Sequence, residues 1–460
     1  MKKLKLEEVL KEIKGEILCG EANKEIESVS IDTRTIKKGE TYFALKGEKV
    51  DGSIYCKQAI ENGATICFVQ KNIFTPEELK EIGKKATIII VENTENTLVE
   101  LAKIKRKQYQ IPVIAITGSV GKTSTKDVIA EVMAQKYKVH KTQGNQNNRI
   151  GVPLTIMSLK DHQALVIEMG MNHQGEISEL TQIAKPTICV ISNIGTSHIG
   201  NLGSRENILK AKLEILEGME KGKVVINNDN DLLHKWNLED KENEKITFGI
   251  HETSQYTASN IEITEEKNTF TVKINNKDYE FTTQKPGEVF ILNALSAIAI
   301  GVEYEIPIEK IQQAIQKAEI TKNRMEIEKR NDILLIKDYY NACYESIKAS
   351  LEYLAHLENG RKIAVLGDIK EVGEFSEEVH RKIGAEVEKN KIDKLITVGK
   401  EAKKIAKEAK QKGMEEKNIY VCDTNEEAVK CLKVLIQAGD KVLLKASNSM
   451  KFGEIYDKIK

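Results

Sequence analysis

Val113-Ile114-Ala115-Ile116-Thr117-Gly118-Ser119-Val120-Gly121-Lys122-Thr123-Ser124-Thr125 decides how the rest of the chain is read. A run rich in β-branched residues stops at Thr117-Gly118; two glycines, a lysine and hydroxyl residues follow, and a helical pattern sets in from Lys126. Strand, tight loop and helix in that order aim backbone N–H groups and a helix N-terminus at one point, which suits an anion. Gly118 and Gly121 allow backbone angles and a close approach that a Cβ would block. Lys122 is placed to reach the terminal phosphates of a nucleotide, and the Thr123 hydroxyl to ligate Mg²⁺. Ile116 stands where the full phosphate-loop pattern has its first glycine, so only Gly121-Lys122-Thr123 matches outright. The expectation is ATP binding.

The surrounding chain has 460 residues, more than one ordinary core holds, so roughly two to four domains are expected. Basic and acidic residues number 70 each, which argues against a nucleic-acid partner held by bulk charge. No run approaches the roughly 18 apolar residues of a membrane span, and the basic residues of Met1-Lys2-Lys3-Leu4-Lys5-Leu6 lead into Glu7-Glu8 rather than into a signal-peptide core. Seven cysteines without paired or metal-like spacing read as reduced thiols of a cytoplasmic chain.

Residues 1–110 mix short helices and strands: strands at 28–34, 41–45, 65–69 and 87–91, and a helix at 53–62. Arg34, Lys46 and the neighbouring Gly47 either hold a diphosphate together or are surface charges at strand ends; the residues alone leave both open. Residues 111–325 continue the opening strand as a parallel α/β pattern, with strands at 164–168 and 187–193. Both end in polar residues, which puts Glu168 and the 193–198 loop beside the phosphate loop at the carboxyl edge of the sheet, where ligands bind. Alternation from 256 to 283 about Asn275-Asn276 predicts a hairpin meander, and an apolar helix near Val289-Phe290 should carry Asn293 on its first turn. Residues 326–460 give strands at 362–366, 394–398, 418–422 and 441–446 between helices, another doubly wound sheet. The fold expected is α/β in three domains.

Phosphoryl chemistry calls for Mg²⁺ and oxygen ligands. Glu168 suits one ion. His198, in a glycine-flanked loop on the same edge, is either a ligand or an ordinary hydrogen-bonded histidine. Lys210 and Lys212 have the spacing of a solvated helix face.

Several segments together resemble the Mur ligases: the phosphate loop itself, Gly144-Asn145-Gln146-Asn147-Asn148-Arg149-Ile150-Gly151-Val152-Pro153, Glu168-Met169-Gly170-Met171-Asn172-His173-Gln174-Gly175-Glu176-Ile177 and Gly367-Asp368-Ile369-Lys370-Glu371-Val372-Gly373-Glu374. They run in order from Asp32-Thr33-Arg34 to Lys445-Ala446-Ser447, and several have the form used by the dipeptide-adding member. The resemblance implies an N-terminal domain for a uridine diphosphate, a central ATPase-like sheet and a C-terminal Rossmann-like domain. It implies ATP-dependent amide ligation in cytoplasmic peptidoglycan precursor synthesis, by a monomer. ATP would phosphorylate the carboxylate of a UDP-N-acetylmuramoyl-tripeptide, and the amine of D-alanyl-D-alanine would displace the phosphate. By this likeness Gly118, Ser119, Val120, Gly121, Lys122, Thr123 and Ser124, with Asn293, Arg324 and Asp338, contact ATP. Thr123 and Glu168 would hold one Mg²⁺, and His198 with a CO₂-carbamylated Lys212 a second. Ser30, Thr33, Arg34 and Lys46 fall in the uridine-diphosphate domain, and Asn145, Asn148 and Asn341 in substrate segments.

Two segments depart from the family: Tyr340-Asn341-Ala342-Cys343-Tyr344 for the usual Tyr-Asn-Ala-Asn-Pro, and Lys445-Ala446-Ser447-Asn448 for Lys-Gly-Ser-Arg. Both segments flank the dipeptide and nucleotide side of the cleft. The competing readings are a related ligase with a different acid or amine, and a nucleotide-binding switch that ligates nothing.

Overall fold

The computed structural model describes residues 3–459. β1 (Leu4–Lys5), β2 (Gly15–Cys19), β3 (Glu25–Ile26), β4 (Val29–Ser30), β5 (Thr41–Phe43), β6 (Ile66–Val69) and β7 (Thr87–Val91) come first. β1 and β3 form a ribbon, and the other five a sheet ordered β2-β7-β6-β5-β4, parallel except for β2.

Then follow β8 (Val113–Thr117), β9 (Val139–Lys141), β10 (Ala164–Glu168), β11 (Ile188–Ile191), β12 (Lys223–Asn227), β13 (Glu244–Gly249), β14 (Tyr256–Ile263), β15 (Asn268–Ile274) and β16 (Lys277–Thr283). They make one sheet ordered β16-β15-β14-β13-β12-β11-β8-β10-β9. The sheet is parallel from β9 to β14 and antiparallel beyond, so the meander extends the ATPase-like sheet instead of standing apart from it. Asn275 and Asn276, with φ of 49° and 63°, turn the β15–β16 hairpin, as asparagine does most readily among residues with a Cβ.

The C-terminal strands are β17 (Glu326–Arg330), β18 (Ile333–Lys337), β19 (Lys362–Gly367), β20 (Lys394–Val398), β21 (Ile419–Cys422) and β22 (Lys441–Lys445). Their order is β17-β18-β22-β19-β20-β21, parallel except for β17.

The unbroken apolar run of β8 reflects helices on both faces. Ile114 and Ile116 pack with Val128, Val132, Leu295 and Ile298, from the helices Lys122–Met133 and Glu288–Glu303. Val113 and Ala115 join the opposite core, with Leu98, Val152 and Leu180. Ile116 is fully buried within the strand, so the loop begins only at Gly118.

Two local expectations are corrected. The helix after the loop begins at Lys122, not Lys126, because Gly121 at φ 83° is its cap. Its first turn is polar yet buried, so apolar periodicity could not mark it. The later helix starts at Glu288, which moves Asn293 to its second turn.

The N-terminal unit sits on the central one through the helix Thr94–Lys107, from which Arg106 donates to Ala184 O (2.6 Å) and Lys185 O (3.1 Å). The C-terminal unit docks at two places. Near the site, Thr196 Oγ1 donates to Glu345 Oε2 (3.0 Å), and a Cβ on Gly200 would lie 2.6 Å from Gly373 N. At the meander tip, Glu265 pairs with Lys441 (2.5 Å) and Lys329 (3.3 Å), and its carbonyl accepts from Tyr353 Oη (2.9 Å). No described helix is long and apolar enough to cross a membrane.

Candidate active site

β8, β10 and β11 end side by side, and the loops after them face one cleft of about 340 Å³. Gly118 lies so close to the next strand end that a Cβ would fall 1.9 Å from Ser192 Oγ. Asn193 shapes the loop: its Oδ1 accepts from Ser119 N (3.0 Å) and Val120 N (2.8 Å). Lys122 folds back to donate to Gly118 O at 2.7 Å. The first amides of the helix from Lys122 have no intrahelical acceptor and face this space, as at any helix start.

Glu168 closes β10 and is 2% exposed. Its Oε1 accepts from Asn147 Nδ2 (2.7 Å), while Oε2 is buried with no partner among the described residues. A buried carboxylate oxygen left unpaired is costly unless a cation meets it. Thr123 Oγ1 accepts from Arg324 Nη2 at 3.1 Å, and the Arg324 guanidinium lies 4.1 Å from the Tyr340 ring centre. With the phosphate loop between them, the Glu168 oxygen and the Thr123 hydroxyl fit an ion that takes few protein oxygens and completes its shell with phosphate and water, as Mg²⁺ does.

The solvated-face expectation for Lys212 is overturned. The residue is 2% exposed and its ammonium has no hydrogen-bond or ion-pair partner among the described residues. Burial drives its pKa well below the usual lysine value, and the charge on Lys122 pushes it further down. Lys122 is lowered too, chiefly by burial, with Glu168 opposing. His198, at φ 64°, lies 2.9 Å from Glu371 Oε2 through its Nδ1, though not aligned as a hydrogen bond; Glu371 comes from the C-terminal unit.

A second lobe of about 540 Å³ shares Val120, Gly121, Arg324, Asn341 and Ser346 with the first, so the phosphate loop stands at their junction. Ser124, Asp338 and Lys445 also line it, with Pro286, Phe290 and Tyr353 as an apolar wall. Asp338 is bonded by Ser350 Oγ (2.7 Å), Met325 N (3.2 Å) and Lys445 Nζ. Asn293 lines neither lobe. It takes Thr125 Oγ1 on its Oδ1 (2.9 Å) and leaves Nδ2 unpaired.

Asn145 and Asn148 line the first lobe, and Asn148 Oδ1 also accepts from Gly151 N (2.9 Å). Ser30, Thr33, Arg34 and Lys46 line neither lobe. Arg34 pairs with Asp32 at 2.7 Å, Thr33 is buried against Gln58, and Ser30 Oγ bonds the Asp32 backbone. Lys46 forms an isolated antiparallel backbone bridge with Asp51. Sequence reading passed over Asn147, Asn193 and Glu371. A row of asparagines carries no mark of which one faces Glu168, and Glu371 meets His198 only through docking of the C-terminal unit.

The chain matches three family models: the Mur ligase family catalytic domain over residues 25–109, the Mur ligase middle domain over 116–301 and the Mur ligase glutamate ligase domain over 323–448. It is 36% identical, over 94% of its length and 92% of the relative's, to UDP-N-acetylmuramoyl-tripeptide--D-alanyl-D-alanine ligase of Bacillus subtilis. The Haemophilus influenzae protein of the same name is 32% identical, with 96% of each chain covered. Among solved structures, MurF from Acinetobacter baumannii superposes with a TM-score of 0.89 at 27% identity, covering 100% of this chain and 99% of that one. MurF from Thermotoga maritima in complex with ADP gives 0.82 at 25%, covering 94% and 96%. With these models and relatives spanning nearly its whole length, the chain belongs to the Mur ligase family.

Proposed function

We propose that the chain is an ATP-dependent ligase that joins D-alanyl-D-alanine to the peptide carboxylate of a UDP-N-acetylmuramoyl-tripeptide through an acyl phosphate. One observation carries the reading: a glycine-shaped phosphate loop and a spare carboxylate oxygen on Glu168 line one cleft under a docked third unit, with the unpaired buried Lys212 near enough to Lys122 to feel its charge. The names of the relatives supply the substrates.

ATP occupies the junction of the two lobes, with its phosphates on the Gly118–Ser124 loop and its base side toward Phe290, Arg324 and Asp338. Lys122 leaves Gly118 O to meet the transferred phosphoryl group and neutralise its charge. Thr123 and Glu168 would hold one Mg²⁺, and His198 with Lys212 would help hold a second. Bound there, Mg²⁺ supplies charge stabilisation for phosphoryl transfer. Lys212 serves as a carbamate: its neutral amine adds CO₂ and releases a proton, turning an unpaired cation into an anion, and its depressed pKa favours the neutral amine. Asn145, Asn148 and Asn341 hold the peptide end of the substrate, while the N-terminal unit with Ser30, Thr33, Arg34 and Lys46 holds the uridine diphosphate. The dipeptide amine attacks the acyl carbon, the carbon–oxygen bond to phosphate breaks, and the amine loses its proton as the amide forms.

The units divide near residues 110 and 325, and the protein acts as a cytoplasmic monomer. Mass spectrometry of reactions holding the UDP-linked tripeptide, ATP and D-alanyl-D-alanine tests the reading. A UDP-linked pentapeptide and one phosphate per amide are expected; ATP hydrolysis without amide rejects it.

A further inference from the structure

Arg149 stands between Asn148 and Ile150 in the asparagine segment, and its guanidinium makes four hydrogen bonds. Nε donates to both oxygens of Glu179 (2.9 and 2.8 Å), Nη1 to Glu95 Oε1 (2.6 Å) and Nη2 to Asn96 Oδ1 (2.7 Å). Glu179 is on the central helix Glu176–Ala184, and Glu95 and Asn96 are in the first turn of Thr94–Lys107. Thr94, opening that helix, donates from Oγ1 to Ala44 O at 3.0 Å, two residues before Lys46. In the other direction the backbone runs straight into Asn148 and Asn147, and Asn147 holds Glu168. The turn between is tight, since a Cβ on Gly151 would lie 2.3 Å from Gln146 Cα. A continuous line of covalent and hydrogen bonds therefore joins the end of β5, through Arg149, to the end of β10.

Stability does not call for this arrangement. The helix Thr94–Lys107 is already seated by Leu98, Leu101 and Arg106, and an arginine side chain 36% exposed adds little as a plain ion pair. The planar fork contributes direction, fixing the angle between three elements as a lysine ammonium cannot. A substrate carrying a diphosphate at one end and the reacting carboxylate at the other needs its two subsites at a set distance and angle.

We propose that Arg149 is a positioning residue that holds the strand ends of the N-terminal unit in register with Glu168, and so governs productive binding of the two-ended substrate. The inference rests on the ligase reading above. Steady-state kinetics of wild type, R149A, R149K, E95Q and R149A/E95Q test it, alongside Tm and the Kd for ADP. R149A should raise KM for the UDP-linked tripeptide about tenfold, with KM for ATP and for dipeptide, kcat, and Kd for ADP all within about twofold. R149K should restore only part of the loss, and E95Q should add little to R149A. An unchanged KM with a lowered Tm, or a fall in kcat with every KM unmoved, overturns the proposal. A wild-type protein that forms no amide overturns the ligase reading itself, and this inference with it.

Discussion

Lys122 and Lys212 bring like charge into one buried region, and neither has a carboxylate bonded to its ammonium. For Lys122 the expected resolution is a phosphoryl group. Lys122→Ala should cut amide formation at least about a hundredfold while leaving the circular dichroism spectrum and Tm near wild type; near-normal turnover would refute the role. For Lys212 the sign of the pH effect is fixed. Its pKa in the fold lies below the ordinary 10.5, so below about pH 10.5 the unfolded chain binds more protons than the folded one. The burial cost therefore grows as pH falls from there to the depressed pKa, and is constant below it. In CO₂-free buffer, Lys212→Met should raise Tm at neutral pH, by an amount that vanishes above about pH 10.5, while abolishing ligation. A Tm gain independent of pH would reject the assignment. Activity of Lys212→Ala partly restored by short carboxylic acids would mark the carbamate. Sequence spacing gave no hint of this burial: the helix that carries Lys212 packs against the helices Glu176–Ala184 and Asp231–Glu239, a tertiary arrangement its own pattern does not encode, and only the likeness to a family singled the residue out.

At the level of elements, Cys343 is the N-cap of the helix Tyr344–His356, at φ −144° and ψ 171°. The Asn-Pro usual in the family would supply an oxygen acceptor at the cap and a preset φ at the first helical position. Here Cys343 Sγ sits 3.5 Å from Ser346 Oγ, and Ser346 Oγ accepts from Cys343 N at 3.0 Å. The departure thus lies first in how this helix starts. Cys343→Asn should stabilise the protein by about 1 kcal/mol, read as a higher denaturation midpoint with unchanged slope; no gain would show the cap already satisfied. Strands and the meander were legible because alternation and turn residues are local. The start of the helix at Lys122 was not, since Thr123, Ser124 and Thr125 are polar residues buried by the sheet and by a later helix. Glu168 was legible as a strand end, but its partner Asn147 stands in a row of asparagines with nothing local to single it out.

On the scale of the whole molecule, His198 and Glu371 meet only because Gly200 and Gly373 let two backbones touch. Gly200→Ala should prevent that seating, enlarging the radius of gyration in X-ray scattering and reducing ligation at least about tenfold, with ADP affinity within about twofold. Wild-type scattering and full activity would show that the docked arrangement has no part in turnover. The linker into the C-terminal unit is itself pinned, with Thr321 Oγ1 donating to Asp127 Oδ2 at 2.8 Å, while the meander tip grips the same unit through Glu265. A body hung at two separated points behaves as a door on a pair of hinges rather than a bob on a string. Any opening that left both ties intact would turn about the one line through them and bring the same face back over the phosphate loop.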